Sequence, residues 1–216
     1  MATYTIGSTA VYVMPSVLSC GRRNQGRVRS GQTGRMVLLV REMAAEDVDV
    51  IIDYFHGSSA EHLELLGVDP TRLPDRARWR ERYLRELQLP VPERSVALVL
   101  WESDGQPVGF STADKIQLGV QAHMHLHVVD PLRRGDGIGS SAVRQTAALY
   151  FRTLSLQRLF CEPNAFNVAP NRTLQRAGFR YVKTHRTVPG PLNYHQAVTR
   201  WVLDQAPQPQ TGLILG

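Results

Sequence analysis

Three histidines alternate along one short run, His123-Met124-His125-Leu126-His127-Val128-Val129, and a period of two puts all three imidazoles on one face of a strand. Imidazole titrates near neutral pH, so such a face can take up and release protons. Beyond the break at Asp130-Pro131 comes Arg134-Gly135-Asp136-Gly137-Ile138-Gly139-Ser140. Its glycines let the backbone curl and expose successive N–H groups where a helix begins, which makes an anion site. A third feature is Glu162, a carboxylate just after the apolar run that ends at Cys161 and a candidate general base. Three same-face histidines could also hold zinc. With no fourth ligand in evidence, no metal is expected, and the histidines would otherwise be polar groups lining a cleft.

The glycine loop excludes two nucleotide motifs. No lysine follows the glycines, as a P-loop requires, and the GxGxG spacing is not the GxGxxG of a dinucleotide fold. The tripeptide Arg134-Gly135-Asp136 is read as part of the turn rather than as an adhesion signal.

Composition narrows the choice further. The chain has 216 residues, of which 43% are hydrophobic and 20% charged, enough for one domain with a sizeable core. Its formal charge of +6 comes from the first 41 residues, where six arginines (Arg22, Arg23, Arg27, Arg29, Arg35, Arg41) stand without an acid. The rest is neutral overall, so nucleic acid is not an expected partner. Two cysteines, Cys20 and Cys161, are too few for a disulfide framework. No apolar run approaches the roughly 18 residues of a membrane span, so a soluble, cytoplasmic monomer or homodimer is expected.

Residues 1–35 lack a sustained period and are expected to be a basic, disordered extension, an upstream start artefact or a transit peptide. Met36–Arg41 predicts a first strand. Glu46-Asp47 opens a helix that presents Val48, Ile51, Ile52 and Phe55 at helical spacing. Ser58-Ser59 caps a short helix, Ala60–Leu66, which Gly67 ends. A charged helix over Arg76–Leu87 follows, with Trp79, Tyr83 and Leu84 on its apolar side. Ser95–Trp101 and Gln106–Lys115 form a hairpin across Ser103-Asp104-Gly105. After the central strand and loop, a helix runs to about Leu154, followed by a strand at Arg158–Cys161 and a helix over Ala169–Ala177. Strands Arg180–Val188 and His195–Leu203 close the domain, and residues 205–216 form a tail.

Two segments together carry a family resemblance. Arg134-Gly135-Asp136-Gly137-Ile138-Gly139 resembles the Q/R-x-x-G-x-G/A pyrophosphate signature of the GNAT superfamily of acetyl-CoA-dependent N-acetyltransferases. Glu162-Pro163-Asn164-Ala165-Phe166-Asn167, continuing to Gly178-Phe179, resembles the segment that ends the family's cofactor-binding half. The resemblance spans residues 36–204. It implies an α+β fold with a mixed central sheet of about six to seven strands flanked by helices.

It also implies acetyl-CoA as co-substrate. Arg134, Gly135, Gly137, Ile138, Gly139 and Ser140 would hold its pyrophosphate, and Asn167 its pantetheine arm with Asn171 nearby. A backbone N–H at Val128 or Val129 would polarise the thioester carbonyl. Glu162 matches the base position of ribosomal-protein alanine N-acetyltransferases, and the aspartate of aminoglycoside 6′-N-acetyltransferases and siderophore-type acyltransferases. His125, five residues before Asp130, matches the strand histidine that partners that aspartate in the siderophore-type enzymes, so the resemblance pairs His125 with Glu162. One departure stands out: Leu174 occupies the place of the tyrosine that protonates the departing thiolate in several subfamilies, with Tyr194 a possible substitute. The expected reaction is acetylation of a small-molecule primary amine lying between Tyr54, Phe55, His56 and His62 of the early helices and His185 and Tyr194 of the closing strands. A protein N-terminal or lysine substrate, and a non-catalytic acyl-CoA-binding module, are the alternatives.

Overall fold

The computed structural model describes residues 5–6, 9–13, 37–129 and 138–206. Its strands are β1 (Thr5–Ile6), β2 (Thr9–Val13), β3 (Val37–Glu42), β4 (Ala97–Ser103), β5 (Gln106–Gln117), β6 (Gln121–Val128), β7 (Arg158–Cys161), β8 (Arg180–Thr187) and β9 (Gln196–Asp204). Its helices are α1 (Val48–Gly57), α2 (Ala60–Leu66), α3 (Arg76–Gln88), α4 (Ile138–Thr153) and α5 (Val168–Ala177).

The strands form one mixed sheet in the order β1-β2-β3-β4-β5-β6-β7-β9-β8. Seven of them, β3 to β9, belong to the expected domain. The other two lie within residues 1–35, where Val11, Tyr12 and Val13 pair with Leu39, Leu38 and Val37. The run Thr-Ala-Val-Tyr-Val is rich in strand-forming types, and β3 would otherwise present an unpaired edge.

Period-two alternation divides the sheet between two cores. On one face, Val99, Trp101, Ala113, Ala122 and Met124 pack against Ala142, Val143, Ala147 and Tyr150 of α4 and Leu174 of α5. On the other, Leu98, Leu100 and Phe110 pack against Ile51, Ile52 and Phe55 of α1, Leu63 of α2 and Trp79 of α3. His123, His125 and His127 alternate with Met124 and Leu126, so they face the α1–α3 side.

The helix boundaries follow local chemistry. Ser59 caps α2 by accepting from the His62 amide, and Asp75 caps α3 by accepting from the Ala77 and Arg78 amides. Gly67 ends α2 in the left-handed region at φ +69°, where a Cβ would overlap the Gln196 side chain. The Gln196 amide sits there because it donates to Gly67 O at 3.0 Å, tying α2 to β9.

β6 and β7 run parallel and are paired only from Gln121↔Arg158 to Met124↔Cys161. Beyond that point the two strands part, and two cavities lie along the opening. No helix among the described residues is long and apolar enough to cross a membrane.

Candidate active site

One cavity, of about 220 Å³, lies between α1, α3, β6 and the turn joining β8 to β9. A second, of about 190 Å³, lies between β6, the start of α4 and α5. They meet at Leu66, Leu126, His127, Asn167 and Pro170, which line both.

The first cavity holds the candidate proton acceptors. His125 Nε2 lies 3.2 Å from Asp114 Oδ1, on the neighbouring strand. Thr112 is directly opposite His125 and Asp114 is opposite His123, so Asp114 and His125 meet diagonally across the ladder. Burial works against the ionised form of Asp114, but the His125 hydrogen bond and the charges of His125 and Lys115 outweigh it and hold its carboxyl below the usual range. Asp114 therefore sets an ionised carboxylate beside the imidazole. Asp114 was not among the expected site residues, although the same-face alternation Phe110-Thr112-Asp114 carries the signal for it. The resemblance paired His125 with Glu162; the carboxylate beside His125 is instead that of Asp114, while Arg200, His185 and His123 surround Glu162.

Glu162 also lines this cavity, but its side chain is only 4% exposed and is closely held. Arg200 Nε donates to its Oε1 at 2.5 Å, His185 Nε2 lies 3.4 Å from the same oxygen, and His123 Nδ1 lies 3.7 Å from Oε2. His123 is kept neutral, its pKa lowered to about 4 by burial and then by the Lys115 charge. His127 is stacked on Phe110, with ring centroids 4.8 Å apart, and is flanked by Tyr54 and Phe55. Burial lowers its pKa to about 3, and its Nδ1 has no hydrogen-bond partner among the described residues.

Of the residues expected to bind the acceptor, Phe55 lines the first cavity and Tyr54 the second. His56 instead contacts Pro74 O at 3.1 Å and the edge of Trp79. Tyr194 donates to Glu64 O at 3.0 Å, pinning the closing turn to α2, and His185 Nε2 lies against the Glu162 carboxylate. These three belong to the walls' support rather than to the cavity lining. The closing turn itself, Pro189-Gly190-Pro191, lies over His125: a Cβ at Gly190 would stand 3.5 Å from the imidazole. Lys115 Nζ anchors this turn by donating to Pro189 O at 2.8 Å.

Of the expected cofactor residues, Val128, Gly139, Ser140 and Asn167 line the second cavity, together with Thr173 and Arg176. Ile138 is instead a core residue of α4, 3% exposed. Arg134, Gly135 and Gly137 lie outside the described residues. Asn171 is turned inward: its Oδ1 accepts from Trp201 Nε1 at 2.8 Å, and its Nδ2 donates to the carbonyls of Asn164 and Asn167. It shapes the turn that carries Asn167. The Val129 N–H donates to Val108 O, so it points to β5 and away from the opening. By alternation, the amides of Leu126 and Val128 point to the β7 side. Leu174 is fully buried in the α4–α5 core, so no acid stands at that position. Among the described residues, no group of three or more His, Cys, Asp or Glu is placed to hold a metal ion.

The second cavity suits an extended, anionic-ended ligand. The start of α4 directs its dipole there, Arg176 adds positive charge, and the parting of β6 and β7 opens a passage to the acceptor side.

Comparisons with known proteins agree with this architecture. The family model for the acetyltransferase (GNAT) domain matches residues 37–180. The aminoglycoside acetyltransferase AAC(6')-Ib, solved with coenzyme A, superimposes with a TM-score of 0.60 at 18% identity, covering 78% of this chain and 95% of its own. Spermidine N-acetyltransferase from Vibrio cholerae, solved with CoA and spermine, gives a TM-score of 0.63 at 14% identity, covering 78% and 95%. The ribosomal alpha-N-protein acetyltransferase RimL, in complex with coenzyme A, gives 0.62 at 14%, covering 77% and 93%. Comparison with curated protein sequences returned no match. With the fold, the two cavities along the β6–β7 opening and the matching domain model in agreement, the chain belongs to the GNAT family of acetyltransferases, enzymes that use acetyl-CoA.

Proposed function

We propose that the protein acetylates the primary amine of a small molecule, with His125 as the general base and Asp114 as the residue that positions it. The observation that carries this reading is the His125–Asp114 pair, 3.2 Å apart, in a cavity that opens into a second cavity suited to acetyl-CoA. The catalytic domain is taken as residues 36–204, the span of the helices and strands that build both cavities.

A primary amine is protonated near neutral pH and must lose a proton to act as a nucleophile. His125 faces the acceptor cavity and has a side chain 26% exposed, so it can accept that proton and pass it to solvent. Asp114, ionised and behind the ring, stabilises the imidazolium that results. Glu162 is the second candidate, but its carboxylate is engaged by Arg200 and His185. We give it the task of setting the charge at the strand opening and holding β7 to β9. Bound in the second cavity, acetyl-CoA supplies the acetyl thioester. Gly139, Ser140, Asn167, Thr173 and Arg176 would hold it, with the β7-facing amides of Leu126 and Val128 as donors for the carbonyl oxygen. The Pro189–Pro191 turn over His125 favours a small acceptor over a protein chain.

His125→Ala should lower kcat/KM by about a hundredfold. Asp114→Asn should lower it about tenfold and alter the pH profile, because the imidazole loses its orienting anion. Glu162→Gln should chiefly lower the melting temperature, since it leaves Arg200 unpaired. Full turnover by His125→Ala on an identified amine would show that the proton leaves by another route. Absence of a thermal shift with acetyl-CoA would remove the basis of the reading.

A further inference from the structure

We infer that the acceptor is a monoamine, a single basic nitrogen on an aromatic or branched-aliphatic body, and not a polyamine or an amino sugar. The inference rests on the acetyl-transfer reading and names the substrate class for the same cavity. The walls come from Phe55 of α1, Val68 after α2, Trp79 and Tyr83 of α3, Leu126 of β6 and Leu192 of the closing turn. Three of these six are aromatic, and His127 on Phe110 extends the flat surface to the point where the cavities meet.

Charge supports the same choice. The lining contains two carboxylates, Asp114 and Glu162, and two guanidinium groups, Arg72 and Arg82. Both carboxylates have cationic or imidazole partners: His125 for Asp114, and Arg200 with His185 for Glu162. Arg72 is tied to Asp69 at 3.3 Å and to Asn193 O at 2.7 Å, which fixes it at the mouth. A polycation would bring several ammonium groups to walls whose two carboxylates already face His125, Arg200 and His185, beside two arginines. Each would shed water without a replacement partner. One ammonium needs one acceptor in the first cavity, and His125 provides it, while aromatic faces favour a single adjacent cation. A volume of about 220 Å³ admits a ring with a short chain and is small for a multi-ring amino sugar.

The test is isothermal titration of the CoA-saturated protein with 2-phenylethylamine, spermidine and kanamycin, alongside an acetylation assay of each. The expected result is a Kd at least about tenfold lower for 2-phenylethylamine than for either polycation. Leu66→Glu, at a half-buried position lining both cavities, should narrow that gap toward spermidine. Equal or tighter binding of spermidine or kanamycin overturns the inference, as does failure of 2-phenylethylamine to bind. No narrowing in Leu66→Glu counts against charge as the selector. The two readings fail differently. Binding of 2-phenylethylamine without its acetylation sinks the transfer reading alone, whereas acetylation that prefers spermidine sinks the monoamine class alone.

Discussion

His123, His125 and His127 repeat at every second position of β6, yet each meets a different neighbour: Glu162, Asp114 and the Phe110 ring respectively. Sequence shows the shared face but not these partners. Those of His123 and His125 come from β7's end and from a diagonal position on β5, and the diagonal depends on register. Asp114 was invisible for that reason, and Arg200 as the guanidinium on Glu162 was invisible because 38 residues separate them. The different neighbours have a stability consequence. His123 and His127 have folded-state pKa values of about 4 and about 3, below the ordinary imidazole value of 6.5. The unfolded chain therefore takes up protons there first, so their contribution is intact above about 6.5 and is lost as pH falls toward 4. The melting temperature should drop across that window, and His127→Phe, which keeps the stack on Phe110 without a titrating ring, should make the drop shallower.

At the scale of elements, most boundaries were legible because local chemistry sets them. The Ser59 cap, the Gly67 stop and the spacing of Val48, Ile51, Ile52 and Phe55 each act within a few residues. Less was legible where elements touch. Tyr54 faces the cofactor-side cavity rather than the acceptor side, and Tyr194 braces α2. The closing turn owes its position over His125 to Lys115, which sits at a register shift of β5 in the left-handed region, φ 49°. Gly190→Ala would add a methyl 3.0 Å from Asn193 Oδ1 and 3.5 Å from the His125 ring. We expect the acceptor's KM to rise about threefold while that of acetyl-CoA stays unchanged, as steady-state kinetics in both substrates would show.

At the scale of the whole molecule, a charged cluster ties β3 and β4 to the start of α1. Arg41 of β3 bonds Asp47 at 2.5 Å and Glu102 of β4 at 2.7 Å, and Asp47 also accepts from the Ala44 amide. Burial opposes ionisation of Asp47, but the Arg41 and Ala44 hydrogen bonds prevail and lower its pKa. A carboxylate lowered in this way stabilises the fold above its unfolded pKa and loses that effect as pH falls through the folded one. Arg41→Ala leaves a largely buried carboxylate without its cation and should cost about 2–3 kcal/mol in denaturant unfolding.

Among the described residues, β6–β7 is the one parallel pairing, and its partners stand far apart in the chain. An antiparallel hairpin such as β5–β6 can zip from its turn, but residues 121–124 cannot meet 158–161 until α4 has crossed over. The opening that joins the two cavities therefore depends on a non-local pairing that forms later than the hairpins. Partly folded chains have helices and hairpins but no place for either ligand. Ligand binding thus selects the finished topology alone and should hold back local unfolding of β7 more than that of the β4–β5 hairpin.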